Sequence, residues 1–139
     1  MDEKDFRKSE RVTPEHITSL QPNEIFVFGS NLEGAHGGGA AAFALKHFGA
    51  IWGQGVGLQG NSYGIPTMHG GVNDIKPYVD EFIDFAQAHP TLHFLVTRIG
   101  CGIAGFHDEE IAPLFAPAID IENTWLPESF IKIIKKQKR

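Results

Sequence analysis

Glu24-Ile-Phe-Val-Phe28 runs directly into Gly29-Ser-Asn-Leu-Glu-Gly-Ala-His-Gly-Gly-Gly39, and that loop runs directly into the alanine-rich stretch Ala40–Phe48. Four apolar, β-favouring residues after Glu24 predict a strand, and the alanines after the glycines predict a helix over about 38–48. Glycine at a strand-to-helix junction lets an anionic ligand approach backbone N–H groups with no Cβ in the way, at the positive end of a helix dipole. The same arrangement recurs further on. Leu92-His-Phe-Leu-Val-Thr97 is a near-continuous apolar run inside a predicted strand over 91–98. It leads into Gly100-Cys-Gly-Ile-Ala-Gly105, and His107-Asp-Glu-Glu110 then caps a helix predicted from Asp108 to about Ala116. Two such junctions imply an open α/β sheet that binds its ligand at the strand ends.

All sixteen glycines lie between Gly29 and Gly105. A third cluster, Gly53-Gln-Gly-Val-Gly-Leu-Gln-Gly60, is too glycine-rich for a helix and too polar for a core, and reads as a flexible wall or lid. Neither junction is a strict nucleotide fingerprint. The chain has no Gly-x-x-x-x-Gly-Lys-Ser/Thr, and Gly100-x-Gly-x-x-Gly105 matches the dinucleotide spacing only as a lone motif. Each glycine taken singly reads equally well as a turn.

The remaining elements complete an alternating pattern. Thr13-Pro-Glu-His-Ile-Thr-Ser-Leu20 begins with an N-cap threonine followed by proline and predicts a short helix. A short strand falls near Ser62–Ile65. In Asn73–Ala88, residues Ile75, Tyr78, Val79, Phe82 and Ile83 share one helical face, and His89-Pro90 ends that helix. A strand around Asn123–Leu126 and a last helix from Pro127-Glu128 follow. The expectation is one domain over residues 1–139 with a loose start at 1–10, folded as a three-layer α/β/α sandwich on a mixed sheet.

Composition narrows the function. The 139 residues are 42% hydrophobic with a net charge of −5, an acidic balance that argues against broad contact with a nucleic-acid backbone. The basic end Lys132–Arg139 reads as a solvated helix terminus. No apolar run is long enough to cross a membrane, the start of the chain is charged, and Cys101 is the single cysteine, so a cytoplasmic location and no internal disulfide are expected. The seven histidines have no compact metal-ligand spacing, so neither a metal nor a cofactor is expected.

Val27-Phe-Gly-Ser-Asn31, followed by His36-Gly-Gly-Gly39 and the alanine-rich helix, resembles the macrodomain signature, in which Asn-Ala-Ala-Asn at a strand end leads to a glycine run. Ile99-Gly-Cys-Gly-Ile-Ala-Gly-Phe106 resembles the second loop of that family. It is closest to the Arg-Ile-Gly-Cys-Gly-Leu form of the branch holding ADP-ribose-1''-phosphate phosphatases and terminal ADP-ribose glycohydrolases. The likeness covers roughly residues 24–126. It implies a macrodomain-like fold and an ADP-ribose pocket across the strand ends. Gly29, Ser30 and Asn31 would contact the ligand at the end of the first strand, with Asn31 orienting the distal ribose, and Gly37, Gly38 and Gly39 would line that ribose. Gly100, Cys101, Gly102, Ile103, Ala104, Gly105 and Phe106 would wrap the diphosphate.

The departures are specific. Phe28 stands where the family has its first Asn, and Ala41 falls near its aspartate after the glycine run. Met68 falls near the glycohydrolase lysine, and Ala104 takes the place of the aspartate after Gly-Cys-Gly-Leu. Both family catalytic solutions are therefore absent, and no catalytic residue is assigned. Substitutes stay open: Cys101 as an activated thiol or a small buried residue, His36 and His107 as acid, base or phosphate partners or as solvent-facing loop residues, and Thr67 and His69 as pocket lining. Trp52 and Tyr63 are either base-stacking rings or core. Three functions follow: a binder of ADP-ribose or a related nucleotide diphosphate, with hydrolysis of an ADP-ribose derivative left open and weak or absent turnover expected, a non-catalytic nucleotide-sequestering or interaction module of the kind a phage uses, and a structural protein whose glycines only shape turns.

Overall fold

The computed structural model describes residues 11–137, so the expected loose start at 1–10 lies outside the described residues. The described residues form an α/β fold around a five-stranded mixed sheet of order β2-β3-β1-β4-β5. The strands are β1 (Glu24–Ser30), β2 (Gly57–Gln59), β3 (Ser62–Pro66), β4 (His93–Val96) and β5 (Thr124–Trp125). β1 pairs in parallel with both β3 and β4, β5 is parallel to β4, and β2 alone runs antiparallel at one edge. The helices are α1 (Gly39–His47), α2 (Val72–Ala88), α3 (Asp108–Ile111) and α4 (Glu128–Gln137), with a 3-10 helix over Ala112–Asp120.

The central strand shows why helices lie on both faces. Successive side chains of a strand point to opposite sides. Ile25 and Val27 enter a large core with Ile75, Phe82, Phe115 and Phe130 from α2, the 3-10 helix and α4. Phe26 and Phe28 enter a smaller core with Ala41, Ala44 and Phe48 around α1. In the large core, Phe82 meets Tyr63 and Phe94 edge to face, with centroids 5.2 and 5.4 Å apart, the geometry aromatic quadrupoles favour.

Two expectations about local structure are corrected. Residues 13–20 do not form a helix. An eight-residue helix containing Ile17, Thr18 and Ser19 has little intrinsic stability, and the backbone finds a better partner: Val12 bridges Leu126 in parallel and Thr13 N–H donates to the Leu126 carbonyl at 2.8 Å. The Arg11 guanidinium holds this arrangement by donating to the carbonyls of Ile119, Ile121 and Thr124. Ile17 and Leu20 then pack on the smaller core. The helix expected over 108–116 becomes one α-turn and then 3-10, because Pro113 and Pro117 lack N–H donors for an α-helical ladder.

Candidate functional site

The parallel strands β3, β1 and β4 end side by side, and a cleft of about 230 Å³ opens at their C-terminal ends. Gly29, Ser30 and Asn31 line it from β1, Thr67 and Met68 from just after β3, and Thr97 to Gly100 from just after β4. Gly38, Gly39, Ala40 and Ala41 add the start of α1, and Gly102, Ile103 and Ala104 add the second glycine loop. Of the residues expected to bind ligand, Gly37, Cys101, Gly105 and Phe106 do not line the cleft.

Hydrogen bonding explains how the second loop divides. The N–H groups of Cys101, Gly105 and Phe106 are spent within the loop, on the carbonyls of Arg98, Gly102 and Gly100. Among the described residues, no backbone carbonyl accepts from the N–H of Gly102, Ile103 or Ala104, the three members that line the cleft. Gly102 has no atom within 4 Å of the position a Cβ would take. Ile103, 71% exposed, reaches across so that its Cδ1 lies 3.3 Å from the would-be Cβ of Gly38 and 3.4 Å from that of Gly39. A side chain on either glycine would press on the residue that bridges the two loops.

Asn31 lines the cleft and its amide is held by its own loop. Its Nδ2 donates to the Ala35 carbonyl at 3.0 Å and its Oδ1 accepts from Ala35 N–H at 2.8 Å, so the amide clasps its own loop. Ser30 is buried and donates its hydroxyl to the Gly55 carbonyl. The 53–60 segment is a wall pinned to this loop rather than a lid: Gly53 N–H donates to Gly34 O at 2.9 Å, and a Cβ on Gly55 would lie 2.0 Å from the Asn31 carbonyl oxygen. Within it, the Gln54 side chain covers the outer edge of β2 by donating to Val56 O and Leu58 O.

The titratable candidates are placed away from the cleft. His36 is not solvent-facing: it is 1% exposed and packs edge to face on Phe28 at 5.3 Å. His69 Nε2 accepts from Leu32 N–H at 2.9 Å, which makes that nitrogen unprotonated and leaves the 3.5 Å approach of Glu33 without ion-pair character. His107 is exposed at the start of α3, where its N–H donates to Glu110 Oε1 at 2.9 Å. Cys101 is half-buried beside Asp108, and burial together with that carboxylate pushes its thiol up to about 12. A thiol so perturbed stays protonated and is no nucleophile. Asp108 itself, despite the opposing cost of burial, is held below the ordinary carboxylate value by Arg98 and Cys101. Arg98 Nη2 approaches it at 2.8 Å. Tyr63 is a core residue, and Trp52 is 61% exposed and outside the cleft.

Sequence reading missed Thr97, Arg98 and Ile99 as lining residues. Their position between a strand end and a glycine loop was the available signal. Arg98 is the one charged side chain that lines the cleft, and no lining residue carries a carboxylate, imidazole or thiol. Ala41, Met68 and Ala104 all line it. Thr97 and Arg98 also border an open groove of about 1590 Å³ between residues 12–19, β4, β5 and the start of α4. Among the described residues no helix is long and apolar enough to cross a membrane, and no group of three His, Cys, Asp or Glu is placed to hold a metal ion. Compared with protein-family models, curated proteins and solved structures, the chain matches none.

Proposed function

We propose that the cleft binds ADP-ribose or a related nucleotide diphosphate and does not hydrolyse it. The observation that carries this reading is that Gly102, Ile103 and Ala104 line a cleft at parallel strand ends together with the start of α1, and that their N–H groups are unclaimed by any backbone carbonyl among the described residues. Arg98 brings a guanidinium to the edge, where it is shared with Asp108. A cleft of about 230 Å³ is smaller than the roughly 300–1000 Å³ of most small-ligand sites, so it takes the diphosphate and one adjoining ribose. The rest of the ligand lies over the groove beyond Thr97 and Arg98.

The absence of turnover rests on the lining residues. Release of ADP-ribose from a carrier needs a group that activates water or forms an adduct at the distal ribose. Ala41, Met68 and Ala104 line the cleft where the resembled family carries such groups, and none can hold or move a proton. Calorimetry with ADP-ribose, paired with a turnover assay on ADP-ribosylated protein and on ADP-ribose-1''-phosphate, tests both halves. Saturable binding without product is expected. No binding removes the ligand assignment, and robust turnover removes the non-catalytic one.

A further inference from the structure

We infer that His36 is a positioning residue of the cleft, whose Nε2–H ties the first glycine loop to the 53–59 wall and thereby sets the form in which Gly38 and Gly39 meet a ligand. The role of the cleft rests on the function proposed above. The tie itself rests on geometry.

Between Ala35 and Ala40 the chain is His36-Gly37-Gly38-Gly39, so His36 carries the single side chain by which this stretch can be anchored. Gly37 would have no atom within 4 Å of a Cβ, which leaves the loop without local packing there. The imidazole goes inward instead. Its Nε2 lies 2.9 Å from the Gln54 carbonyl oxygen and 3.1 Å from Gln59 Oε1. The orientation of the Gln59 amide is fixed independently, because Oε1 also accepts from Ile51 N–H at 2.8 Å and Nε2 donates to the Gly57 carbonyl at 3.3 Å. Both groups facing the histidine are therefore acceptors, and its Nε2 must be the donor. The ring is the Nε2–H tautomer.

Its Nδ1 is then an acceptor, buried and without a partner. Among the described residues, the ring's partners are Phe28, Gln54 and Gln59, none of which bears a charge. A ring kept only for packing would not need a donor at this point, and an apolar ring of the same shape would leave no lone pair unsatisfied. The buried Nδ1 is what the molecule accepts in order to place Nε2–H between the loop and the wall.

Two variants separate the bond from the packing. His36→Phe keeps a ring against Phe28 and removes the donor, whereas His36→Gln puts an amide N–H near the position of Nε2. Amide hydrogen exchange of the full chain is read at Gly34 and Ala35, whose N–H groups close the loop on Asn31, and at Gly53, whose N–H joins the wall to the loop, with the interior of α2 as control. ADP-ribose binding is measured on the same samples. In His36→Phe, exchange at those three amides should rise about tenfold with α2 unchanged, and the ADP-ribose Kd should rise about tenfold. His36→Gln should hold both within about threefold of the wild type, and nitrogen spectra of the wild type should show Nε2 protonated and Nδ1 not. Wild-type exchange and affinity in His36→Phe, failure of His36→Gln to rescue, or an Nδ1–H tautomer would each overturn the inference. If His36→Phe does not fold, the glutamine variant and the tautomer still decide. A wild type that shows the expected exchange pattern but binds no ADP-ribose overturns the proposed ligand instead.

Discussion

The segment Gly53–Gly60 and the loop Gly100–Gly105 are both rich in glycine, and at their key positions, Gly55 and Gly102, they use it for opposite purposes. In the first, Gly55 and Gly60 are where backbone meets backbone, since a Cβ would lie 2.0 Å from Asn31 O at Gly55 and 2.6 Å from Gly49 O at Gly60, whereas Gly53 and Gly57 face open space and serve the backbone through their positive φ. In the second, Gly102 and Gly105 have nothing within 4 Å of a would-be Cβ. The space that a side chain would fill is left to solvent or to a ligand. Glycine at positions 55 and 60 of the wall is thus a requirement of packing, as it is at Gly100 beside Ile111, and glycine at position 102 of the loop is compatible with a requirement of access. The wall also shows where buried polar groups of the first loop go, since the Ser30 hydroxyl and His36 Nε2 both meet its backbone carbonyls.

Substitution at Gly55 should break the comparison most severely. Gly55→Ala forces a methyl into the Asn31 carbonyl, and backbone cannot step aside as a side chain tip can. A loss of about 3 kcal/mol or outright unfolding is expected in chemical denaturation. Gly102→Val tests the other side. Stability should stay within about 0.5 kcal/mol of wild type while ADP-ribose affinity falls at least about tenfold in calorimetry. If instead Gly55→Ala folds normally and Gly102→Val unfolds, the division of labour is reversed.

A smaller effect is expected at Asn31. Because its amide clasps Ala35 by both ends, Asn31→Ala should cost about 1 kcal/mol of stability and weaken AMP and ADP-ribose by similar factors. A loss confined to ADP-ribose would restore direct contact with the distal ribose. The mildest consequence concerns pH. Cys101 and Tyr63 are both pushed up to about 12, the thiol by burial and Asp108, the phenol by burial and Glu81. Groups whose proton is held more tightly in the folded state favour folding at neutral pH, and this contribution falls as pH rises from about 9 or 10 through about 12. Denaturation midpoints should therefore decline across that alkaline window. Alkylation of Cys101 at pH 8 should be slow in the native protein and fast in denaturant.

Much of the architecture was legible because it depends on local periodicity. The strand at 24–28, the helix at 73–88 and the strand-to-helix junctions all declare themselves through apolar spacing and glycine placement, which neighbouring residues alone set up. Residues 13–20 misled for the same reason: threonine before proline is a sound local cap signal, and it was overridden by pairing with Leu126, more than a hundred residues away in the chain. The cleft was legible as two loops but not as a lining. That Gly102 to Ala104 keep unpaired N–H groups on it while Cys101, Gly105 and Phe106 spend theirs inside the loop follows from the turn the loop adopts, which its composition does not dictate.

The sequence by itself determined most of the segments that become strands and helices, where chain can pass without side chains, and that the catalytic groups of the family it resembles are absent from this chain. Those are properties of residue type and order. Only the tertiary structure decided that His36 faces inward, that Asn31 closes on Ala35, that Cys101 is silenced beside Asp108, and that Arg98 is the charge at the cleft. Each depends on which distant backbone group offers a partner, and partnership across a fold is not encoded in spacing along the chain.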